Sequence, residues 1–501
     1  MVKKENNNNK DRKVILKNNN TRNSDSKSKQ KNVEKSIRKE DSGLRHEYDL
    51  RSFLSTLEKR GELITIHKKV KKKFELAAII SKFDKKEAVI FTNVDESKFK
   101  VVSNILGTRK RFFYGIESST PTSKIDLSNL GNIGSEYYPK EFSNDALFHN
   151  NSTRNLYDLP IASHFEKDAG PFITSSTVYV KDQENGNQNS SVHRMLLLNN
   201  SQMAIRMVEG RHLHKCFVYA KEHKEDLKIS VVVGVHPALN IAAAYQAAYG
   251  IDEIAIANYL LNGNLKLAKN NYSDLMIPKH SEIVIEGKIL HDEVSEEWMV
   301  EMLRTYDFKR KQPVFEINQI WYRDNPIYYD ILPGYTEHRL LMGLPIEAKI
   351  FSYVKNTVPS TRMVHLSDGG CNWLTAVVQI KKRLEGEPKN AILTAFAAHP
   401  SLKTAIIVDE DINPWNPVEV DYAVSTRTQA DKDFLIITNA KGSSLDPSSD
   451  QTNLLTTKLG IDATISLLKD KERFEIAKIP GADNIDIKKY VQKEKDSYIK
   501  S

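Results

Sequence analysis

The stretch ISVVVGVHPALNIAAAYQAAYGI, residues 229–251, decides how the rest of the sequence is interpreted. It is a long apolar run that approaches the length of a membrane-spanning helix. His236, Pro237, Asn240 and Gln246 interrupt it, however, at intervals that a hydrocarbon environment would penalise. We therefore predict a buried strand, a turn at HPAL and a helix of small residues, and no membrane span.

The sequence on both sides of this stretch, from 172 to 330, is rich in β-branched and alternating runs bounded by turn residues. One helix-like insert, residues 240–261, interrupts them. This mixture predicts a β-barrel with helical excursions rather than a doubly wound sheet. The predicted strands, besides that of 229–235, are FITSSTVYV (172–180), SSVHRMLLL (190–198), MAIRMV (203–208), SEIVIEG (281–287) and VFEINQIWY (314–322).

The flanking regions have a mixed α/β pattern. Before the barrel, DLRSFLSTLEKRG (49–61) has helical spacing, and AVIFTNV (88–94) and KVVSNIL (100–106) are predicted strands. After it we predict a helix at 389–399, a strand at 404–413 and a final helix at the end of TTKLGIDATISLL (456–468). The fold class is therefore α/β (α+β). The predicted divisions are a disordered basic leader (1–43), an N-terminal αβ domain (44–165), the barrel (166–335), a C-terminal α/β domain (336–485) and a charged tail (486–501).

Composition excludes several classes of protein. The formal charge of this 501-residue chain is +8, but residues 1–42 hold 13 Lys and Arg against six Asp and Glu. The remaining residues are together nearly neutral, so their net charge does not favour nucleic-acid binding. Cys216 and Cys371 are the two cysteines, so a disulfide framework or a zinc–cysteine site is not expected. The N-terminus lacks the apolar core of a signal peptide, and we expect a cytoplasmic protein.

The motifs of several common enzymes are absent: there is no GxxxxGK[ST] phosphate loop, no GxGxxG after a strand, no HExxH and no GxSxG. Polar residues nevertheless recur in the barrel region. On a strand, Asn189 and Arg194 face one site only if the strand bends or ends between them. His212 and His214, two apart on a predicted strand, are either metal ligands or surface residues. Glu253 is either a metal ligand or an acid that interacts with a helix dipole.

The segment SEEWMVEMLRTYDF (295–308) allows two interpretations. Ser295 is a suitable N-cap, and no Gly or Pro follows to prevent a helix. On such a helix Glu297 and Glu301 share one face, whereas Glu296 and Glu301 are about 140° apart. The acids are then either a proton-transfer pair or the solvated edge of an amphipathic helix.

Taken in order, these pieces and several others resemble the UbiD-type decarboxylases, which use prenylated flavin mononucleotide. The resemblance covers roughly residues 45–480, and its archaeal branch acting on anhydromevalonate phosphate is the most similar. It implies an N-terminal αβ domain, a flavin-reductase-like split β-barrel and a C-terminal α/β domain that supports a homo-oligomer. The pieces are NSSVHR (189–194), GRHLH (210–214), VGVHPAL (233–239), YGIDE (249–253), SEIVIEG (281–287), TYDFKRKQPVFEI (305–317), YYDILPG (328–334), GGC (369–371), VDEDI (408–412) and KGSSLDP (441–447).

The resemblance also implies residue roles. Asn189, Glu253 and His212 match Mn²⁺ ligands, with K⁺ as a further candidate ion. An oxygen- and nitrogen-donor set of this kind suits Mn²⁺ or Mg²⁺. The residues that match the cofactor-binding stretches are Val192, His193, Arg194, Arg206, Met207, Val208, Arg211 and His212.

For catalysis, the resemblance implies that Arg194 pairs with the substrate carboxylate and with Glu296. Glu301 then delivers a proton to the carbon that has lost CO₂, while the flavin serves as electron sink. The sequence departs from the family pattern here, because Glu297, Trp298 and Met299 replace Gly-Pro-Phe and Arg304 replaces a glycine.

The implied enzyme is a carboxy-lyase that converts anhydromevalonate 5-phosphate to isopentenyl phosphate in the mevalonate route to isoprenoids. A flavin prenyltransferase would supply its cofactor. Two alternatives stay open: a decarboxylase of aromatic acids of the hydroxybenzoate type, used in quinone synthesis, and a non-catalytic flavin-binding relative.

Overall fold

A computed structural model describes residues 48–487 and 490, except 118–129, 132, 141, 144, 246, 248–249 and 271. The predicted leader (1–43) lies outside the described residues, as does most of the predicted tail (486–501). The helices are α1 Leu50–Lys59, α2 Glu75–Lys82, α3 Arg109–Glu117, α4 His212–Glu222, α5 Pro237–Ala244, α6 Glu253–Leu260, α7 Thr336–Thr357, α8 Glu387–Ala398, α9 Pro417–Arg427 and α10 Ala430–Asp433.

The strands form four sheets. They are β1 Leu63–Ile66, β2 Ala88–Phe91, β3 Lys100–Ser103, β4 Phe142–Ser143, β5 Asn151–Thr153, β6 Phe172–Ile173, β7 Thr177–Lys181, β8 Gln188–Val192, β9 Met195–Leu197, β10 Gln202–Ile205, β11 Leu227–Val233, β12 Leu267–Asn270, β13 Leu275–Pro278, β14 Ile283–Glu297, β15 Arg310–Tyr322, β16 Ile327–Tyr329, β17 Thr361–Leu366, β18 Thr375–Ile380, β19 Thr404–Asp409, β20 Phe434–Lys441 and β21 Leu455–Ala463.

The first sheet has the order β1-β2-β3-β16. Helix α1 lies beside it and buries the side chains predicted from its spacing, Leu50, Phe53, Leu54 and Leu57. Its N-cap is Asp49, whose carboxylate accepts a hydrogen bond from the Ser52 amide at 2.8 Å. Strand β16 comes from inside the range predicted for the barrel, so this sheet is completed by a distant part of the chain.

The central sheet has nine strands in the open order β6-β9-β10-β15-β14-β11-β7-β8, with β5 added beside β15. All its pairings are antiparallel. Strands occur in all the predicted segments from 172 to 322, but FITSSTVYV and SSVHRMLLL each form two strands and MAIRMV is extended only to Ile205. The mixed α/β fold class is as expected. A small third sheet, β13-β12-β4, lies outside this path.

The stretch at 229–251 contains a strand, a turn and a helix, as predicted. After β11, Gly234 has φ +80°, and a Cβ there would lie 2.8 Å from Glu282 Cβ and 2.9 Å from Ile327 O, so only glycine fits. His236 caps α5 by accepting a hydrogen bond from the Ala238 amide. The predicted single helical insert is two helices, α5 and α6. Within the described part of the chain, no helix has the length and apolar character needed to cross a membrane.

The last sheet, β17-β18-β19-β21-β20, has helices α7 and α8 beside it. The predicted helix at 389–399 and strand at 404–413 are confirmed. The helix predicted at the end of 456–468 is wrong: β21 occupies its first part, and residues 464–469 form no helix. The Asp462 carboxylate accepts a hydrogen bond from the Thr464 amide at 3.1 Å, a local turn that competes with helix formation.

Candidate active site

Three of the predicted donor residues meet at one edge of the central sheet. Asn189 lies on the edge strand β8, whereas His212 and Glu253 are the first residues of α4 and α6. The Asn189 Nδ2 atom is 2.8 Å from His212 Nδ1 and 2.8 and 3.0 Å from the two Glu253 carboxylate oxygens. The Ser190 amide also donates to Glu253, at 3.0 Å. The fold thus joins residues that are far apart in sequence.

The electrostatics of this cluster fit a bound cation. Burial raises the pKa of Glu253 to about 8, and burial together with Lys215 and Arg211 lowers the pKa of His212, which keeps its imidazole neutral. Asn189 Oδ1 is buried and has no hydrogen-bond partner among the described residues. An amide oxygen, a carboxylate and a neutral imidazole suit a divalent cation such as Mn²⁺ or Mg²⁺. No group of three or more His, Cys, Asp or Glu side chains suitable for a metal occurs in the described ranges, so this set depends on the Asn189 amide.

The prediction that His212 and His214 share a strand face is wrong. Gly210, at φ +76°, turns the chain, and Arg211 becomes the N-cap of α4. On a helix, residues two apart point about 200° apart. His212 therefore joins the donor cluster, whereas His214 Nδ1 accepts a hydrogen bond from the Gly210 amide at 3.4 Å.

The two stretches predicted to hold the flavin lie side by side. The Arg206 amide donates to the Arg194 carbonyl at 3.1 Å, and His193 Nδ1 is 2.7 Å from the Arg206 carbonyl oxygen. Burial lowers the pKa of His193 to about 4, so the ring is neutral. The Met207 amide donates to Gln312 Oε1, and the next residue, Val208, is 51% exposed. Val192, which ends β8, and Arg211, which caps α4, lie at the borders of these stretches.

Arg194 stands at the centre of a buried acid cluster. Its Nε and Nη2 donate to the two Glu297 carboxylate oxygens at 3.0 and 2.8 Å, Nη2 also donates to Asp307 at 2.9 Å, and Nη1 donates to Glu301. Although burial acts to lower it, Glu301 and Glu297 hold the pKa of Arg194 above its ordinary value. Strand β8 ends at Val192, between Asn189 and Arg194. The alternation of side chains along a strand therefore does not force these two residues onto opposite faces.

The predicted Arg194–Glu296 pair is not formed, and Ser295 does not begin the helix that the sequence allows. Strand β14 continues through Glu297, with Glu296 opposite Lys311 and Glu297 opposite Arg310 on β15. Because side chains alternate along a strand, Glu297 is buried and reaches Arg194, whereas Glu296 is exposed. Glu297 therefore occupies the position that the sequence analysis gave to Glu296.

The acid loop, residues 298–307, places Glu301 in a tight turn. The Glu301 amide donates to the Thr305 carbonyl at 2.9 Å, and the Arg304 amide donates to the Glu301 carbonyl at 2.8 Å. Arg304, which replaces the expected glycine, has φ +64°. A non-glycine residue in that region costs about 1 kcal/mol or more.

A neighbouring segment, residues 164–169, supports the acid loop. Asp168 accepts a hydrogen bond from the Val300 amide at 3.0 Å. Trp298 donates from Nε1 to the Lys167 carbonyl at 2.7 Å, and its own carbonyl accepts from the Ala169 amide at 3.0 Å. These bonds constrain a loop that lacks the expected Gly-Pro pair.

Sequence reasoning missed four residues of this site: Glu297, Asp307, Asp168 and His338. Asp307 pairs with both Arg194 and Arg310, which hold its pKa below the ordinary value although burial acts to raise it. His338 Nδ1 accepts a hydrogen bond from the Gly334 amide at 3.1 Å. The alternation of ILHDEVSEE (289–297) against the strand at 310–322 is the signal that would have separated Glu297 from Glu296.

Comparison with known proteins assigns the chain to a family. Models of the 3-octaprenyl-4-hydroxybenzoate carboxy-lyase family match its N-terminal domain at 54–127, its Rift-related domain at 140–336 and its C-terminal domain at 339–463. The anhydromevalonate phosphate decarboxylase of Methanocaldococcus jannaschii is 42% identical over 422 residues, covering 82% of this chain and 96% of that protein. The chain belongs to the UbiD family.

Other UbiD proteins show the same extent of similarity. The anhydromevalonate phosphate decarboxylase of Methanosarcina mazei is 40% identical, covering 86% of this chain and 99% of that protein. The UbiD-class enzyme HmfF from Pelotomaculum thermopropionicum, solved in complex with FMN, has a TM-score of 0.83 and 35% identity, covering 88% of this chain and all of that one. An evolved dimeric HmfF, solved with prenylated FMN, has a TM-score of 0.79 and 32% identity, covering 89% of this chain and all of that one. The UbiD fold therefore extends over nearly all the described residues.

Proposed function

We propose that this UbiD-family carboxy-lyase decarboxylates anhydromevalonate 5-phosphate to isopentenyl phosphate, with prenylated FMN and Mn²⁺ as cofactors. The names of its archaeal relatives support the substrate, and the FMN and prenylated FMN in the HmfF structures support the flavin. The observation that carries the proposal is the Arg194 acid cluster, which lies five residues along the chain from the donor residue Asn189. The proposal includes a cytoplasmic homo-oligomer and a flavin prenyltransferase as cofactor supplier.

The residues that would hold the cofactors are those described above. Asn189, His212 and Glu253 would bind Mn²⁺, and K⁺ is a further candidate ion. Val192, His193, Arg194, Arg206, Met207, Val208, Arg211 and His212 would line the flavin site. When bound, prenylated FMN supplies the electron sink that loss of CO₂ from an unsaturated acid requires.

Arg194 would bind the carboxylate of the substrate. Four of its five N–H groups already have carboxylate partners: two go to Glu297, one to Asp307 and one to Glu301. The two N–H groups of Nη1 diverge, so a substrate carboxylate would contact Nη1 through single charge-assisted hydrogen bonds. It would displace Glu301, the most exposed of the three acids, from Nη1, while Glu297 and Asp307 keep the guanidinium in place.

Glu301 would act as the proton donor. Once released from Arg194, its carboxyl group no longer pairs with a guanidinium and can serve as a general acid. The turn between Glu301 and Thr305 keeps the side chain beside the carboxylate that leaves. Glu301 Oε then transfers the proton to the carbon that has lost CO₂.

The test is to co-express the protein with a flavin prenyltransferase and to measure the bound flavin, bound Mn²⁺ and CO₂ release from anhydromevalonate 5-phosphate. A hydroxybenzoate assayed alongside tests the aromatic-acid alternative. Turnover of the phosphorylated acid alone is the expected result. A protein without flavin or Mn²⁺, or one that turns over only the aromatic acid, would contradict the proposal.

A further inference from the structure

Two arginines beside the acid loop have no carboxylate partner within the described ranges. Arg339, in the first turn of α7, donates from Nε at 3.0 Å to the carbonyl of Met302, the residue that follows Glu301. Arg304 places its guanidinium carbon 4.6 Å from the centre of the Tyr335 ring and its Nη2 3.5 Å from the Tyr335 hydroxyl. Their remaining N–H groups are available to an anion.

This arrangement differs from that of the other arginines around the site. Arg194 and Arg310 share Glu297, Glu301 and Asp307, and Arg206 lies 3.8 Å from Glu297. The negative charge of the acid cluster is therefore already matched by these three cations. Arg304 and Arg339 add two positive charges that no described carboxylate neutralises.

The backbone of the acid loop accommodates Arg304 at an energetic cost. Its φ of +64° lies in the left-handed region, which an L-residue with a long side chain rarely adopts. Gly334 faces it: a Cβ on Gly334 would lie 2.5 Å from Arg304 Cγ and 2.9 Å from the Glu301 carbonyl oxygen. The stem of Arg304 thus fills the space that Gly334 leaves. Such backbone strain is typical of residues kept for a functional contact.

We propose that Arg304 and Arg339 bind the phosphate monoester group of the substrate while Arg194 binds its carboxylate. This inference rests on the proposed function and adds the residues that select a phosphorylated acid. A phosphate monoester carries a charge of about −1.5 to −2 near pH 7, which two guanidiniums match, and arginine binds phosphate oxygens in bidentate fashion. An aromatic acid without a phosphate leaves both arginines unmatched.

The two anionic groups of the substrate lie at its opposite ends. Six covalent bonds separate its carboxyl carbon from phosphorus, a reach of roughly 7 Å when extended. Arg194 and Arg339 both act on His338, since burial together with these two cations lowers the pKa of its imidazole to about 4. The imidazole is therefore neutral, and it adds no further positive charge near them.

The test compares two substrates of the prenylated-FMN holoenzyme: anhydromevalonate 5-phosphate and the same acid with a free 5-hydroxyl group. Arg339→Met and Arg304→Gly are each expected to raise KM for the phosphorylated acid about tenfold to a hundredfold. Each should lower kcat/KM for the hydroxyl acid by a much smaller factor, because the loss there reflects only the contact of the side chain with the acid loop and its surroundings. Arg339→Lys should restore part of the loss. The control is Arg362→Met, because Arg362 is exposed on the C-terminal sheet and pairs with Glu410.

The outcomes separate this inference from the proposed function. Equal losses on both acids, or no change on the phosphorylated one, would overturn the phosphate site while leaving the decarboxylase intact.

If the wild type turns over neither acid, the proposed function fails. Calorimetric titration of the FMN-loaded protein with isopentenyl phosphate then decides, since equal affinity in wild type and Arg339→Met overturns the inference. Weaker FMN binding in Arg339→Met would assign the arginines to the flavin phosphate and also overturn it. Arg304→Gly removes the strained conformation, so it guards against loss of folding.

Discussion

The donor cluster of Asn189, His212 and Glu253 and the acid loop at 298–307 were both singled out from sequence, with different success. Each residue of the donor cluster lies on a strand or at the first position of a helix. The acid loop has no regular structure of its own and takes its shape from segments more than a hundred residues before it and some thirty after it. In a helix or a strand the direction of each side chain follows from its position in the element. In a loop it also depends on the segments that pack against the loop.

The largest expected effect tests the acid loop itself. Glu301→Gln keeps a hydrogen bond to Arg194 but cannot release a proton, so kcat should fall by about 10²- to 10⁴-fold. Flavin content and thermal stability should stay as in the wild type. Steady-state assays of CO₂ release with the phosphorylated acid provide the measurement.

Glu296→Gln is the matched control. Glu296 is exposed on β14, directly before the acid loop, and its substitution removes the same charge. Its kcat should equal that of the wild type. If both variants keep the wild-type kcat, Glu301 is not the proton donor. If neither variant nor the wild type releases CO₂, a non-catalytic flavin-binding protein becomes the better interpretation.

The second effect tests the donor cluster. Glu253→Gln removes the carboxylate from a site where the other donors are neutral, and Mn²⁺ affinity should fall by about a hundredfold. Losses of ten- to a hundredfold are seen even when a group that only orients a metal ligand is removed. Metal analysis and flavin absorbance of the purified variant measure the effect. Unchanged Mn²⁺ and flavin content would mean that the cation binds elsewhere.

Much of the fold could be predicted from local pattern. The strands of the central sheet, the helix face of Leu50, Phe53 and Leu57, and the strand and turn at 229–237 follow from periodicity and from turn residues that act over a few positions. The failed predictions have different causes. A local turn at Asp462 replaces the final helix, whereas pairing with β15, a tertiary contact, extends β14 as far as Glu297, where the sequence also allowed a helix.

The residues of the site also divide into those that the sequence singled out and those whose role depends on tertiary contacts. The resemblance identified Arg194, Glu301 and the donor cluster by their order in the chain, which needs no geometry. It gave the wrong partner for Arg194, because motif spacing alone selected Glu296, whereas the two adjacent glutamates point to opposite faces of β14 and only Glu297 faces Arg194. Asp168 could not be found from sequence, since its role depends on a hydrogen bond to Val300, 132 residues away.

A third prediction concerns the choice between Glu297 and Glu296. Glu297→Gln removes a charged, bidentate partner from buried Arg194, and the free energy of unfolding should fall by about 2 kcal/mol. Glu296→Gln should change it by less than about 0.5 kcal/mol, as is usual for an exposed position. Denaturant titration of both variants makes the comparison. Equal stability of the two would contradict the assignment of Glu297 as the partner of Arg194.

The smallest effect tests the support of the loop. Trp298→Phe keeps most of the ring packing but loses the Nε1 hydrogen bond to the Lys167 carbonyl, which should cost about 1 kcal/mol of stability. If that bond also holds Glu301 in register, kcat should fall a few-fold while the substrate KM is unchanged, because Arg194 is untouched. Trp373→Phe, with its indole nitrogen buried and without a described hydrogen-bond partner, is the control for loss of an indole. A Trp298→Phe variant that loses stability and keeps kcat would show that segment 164–169 stabilises the loop without positioning the proton donor.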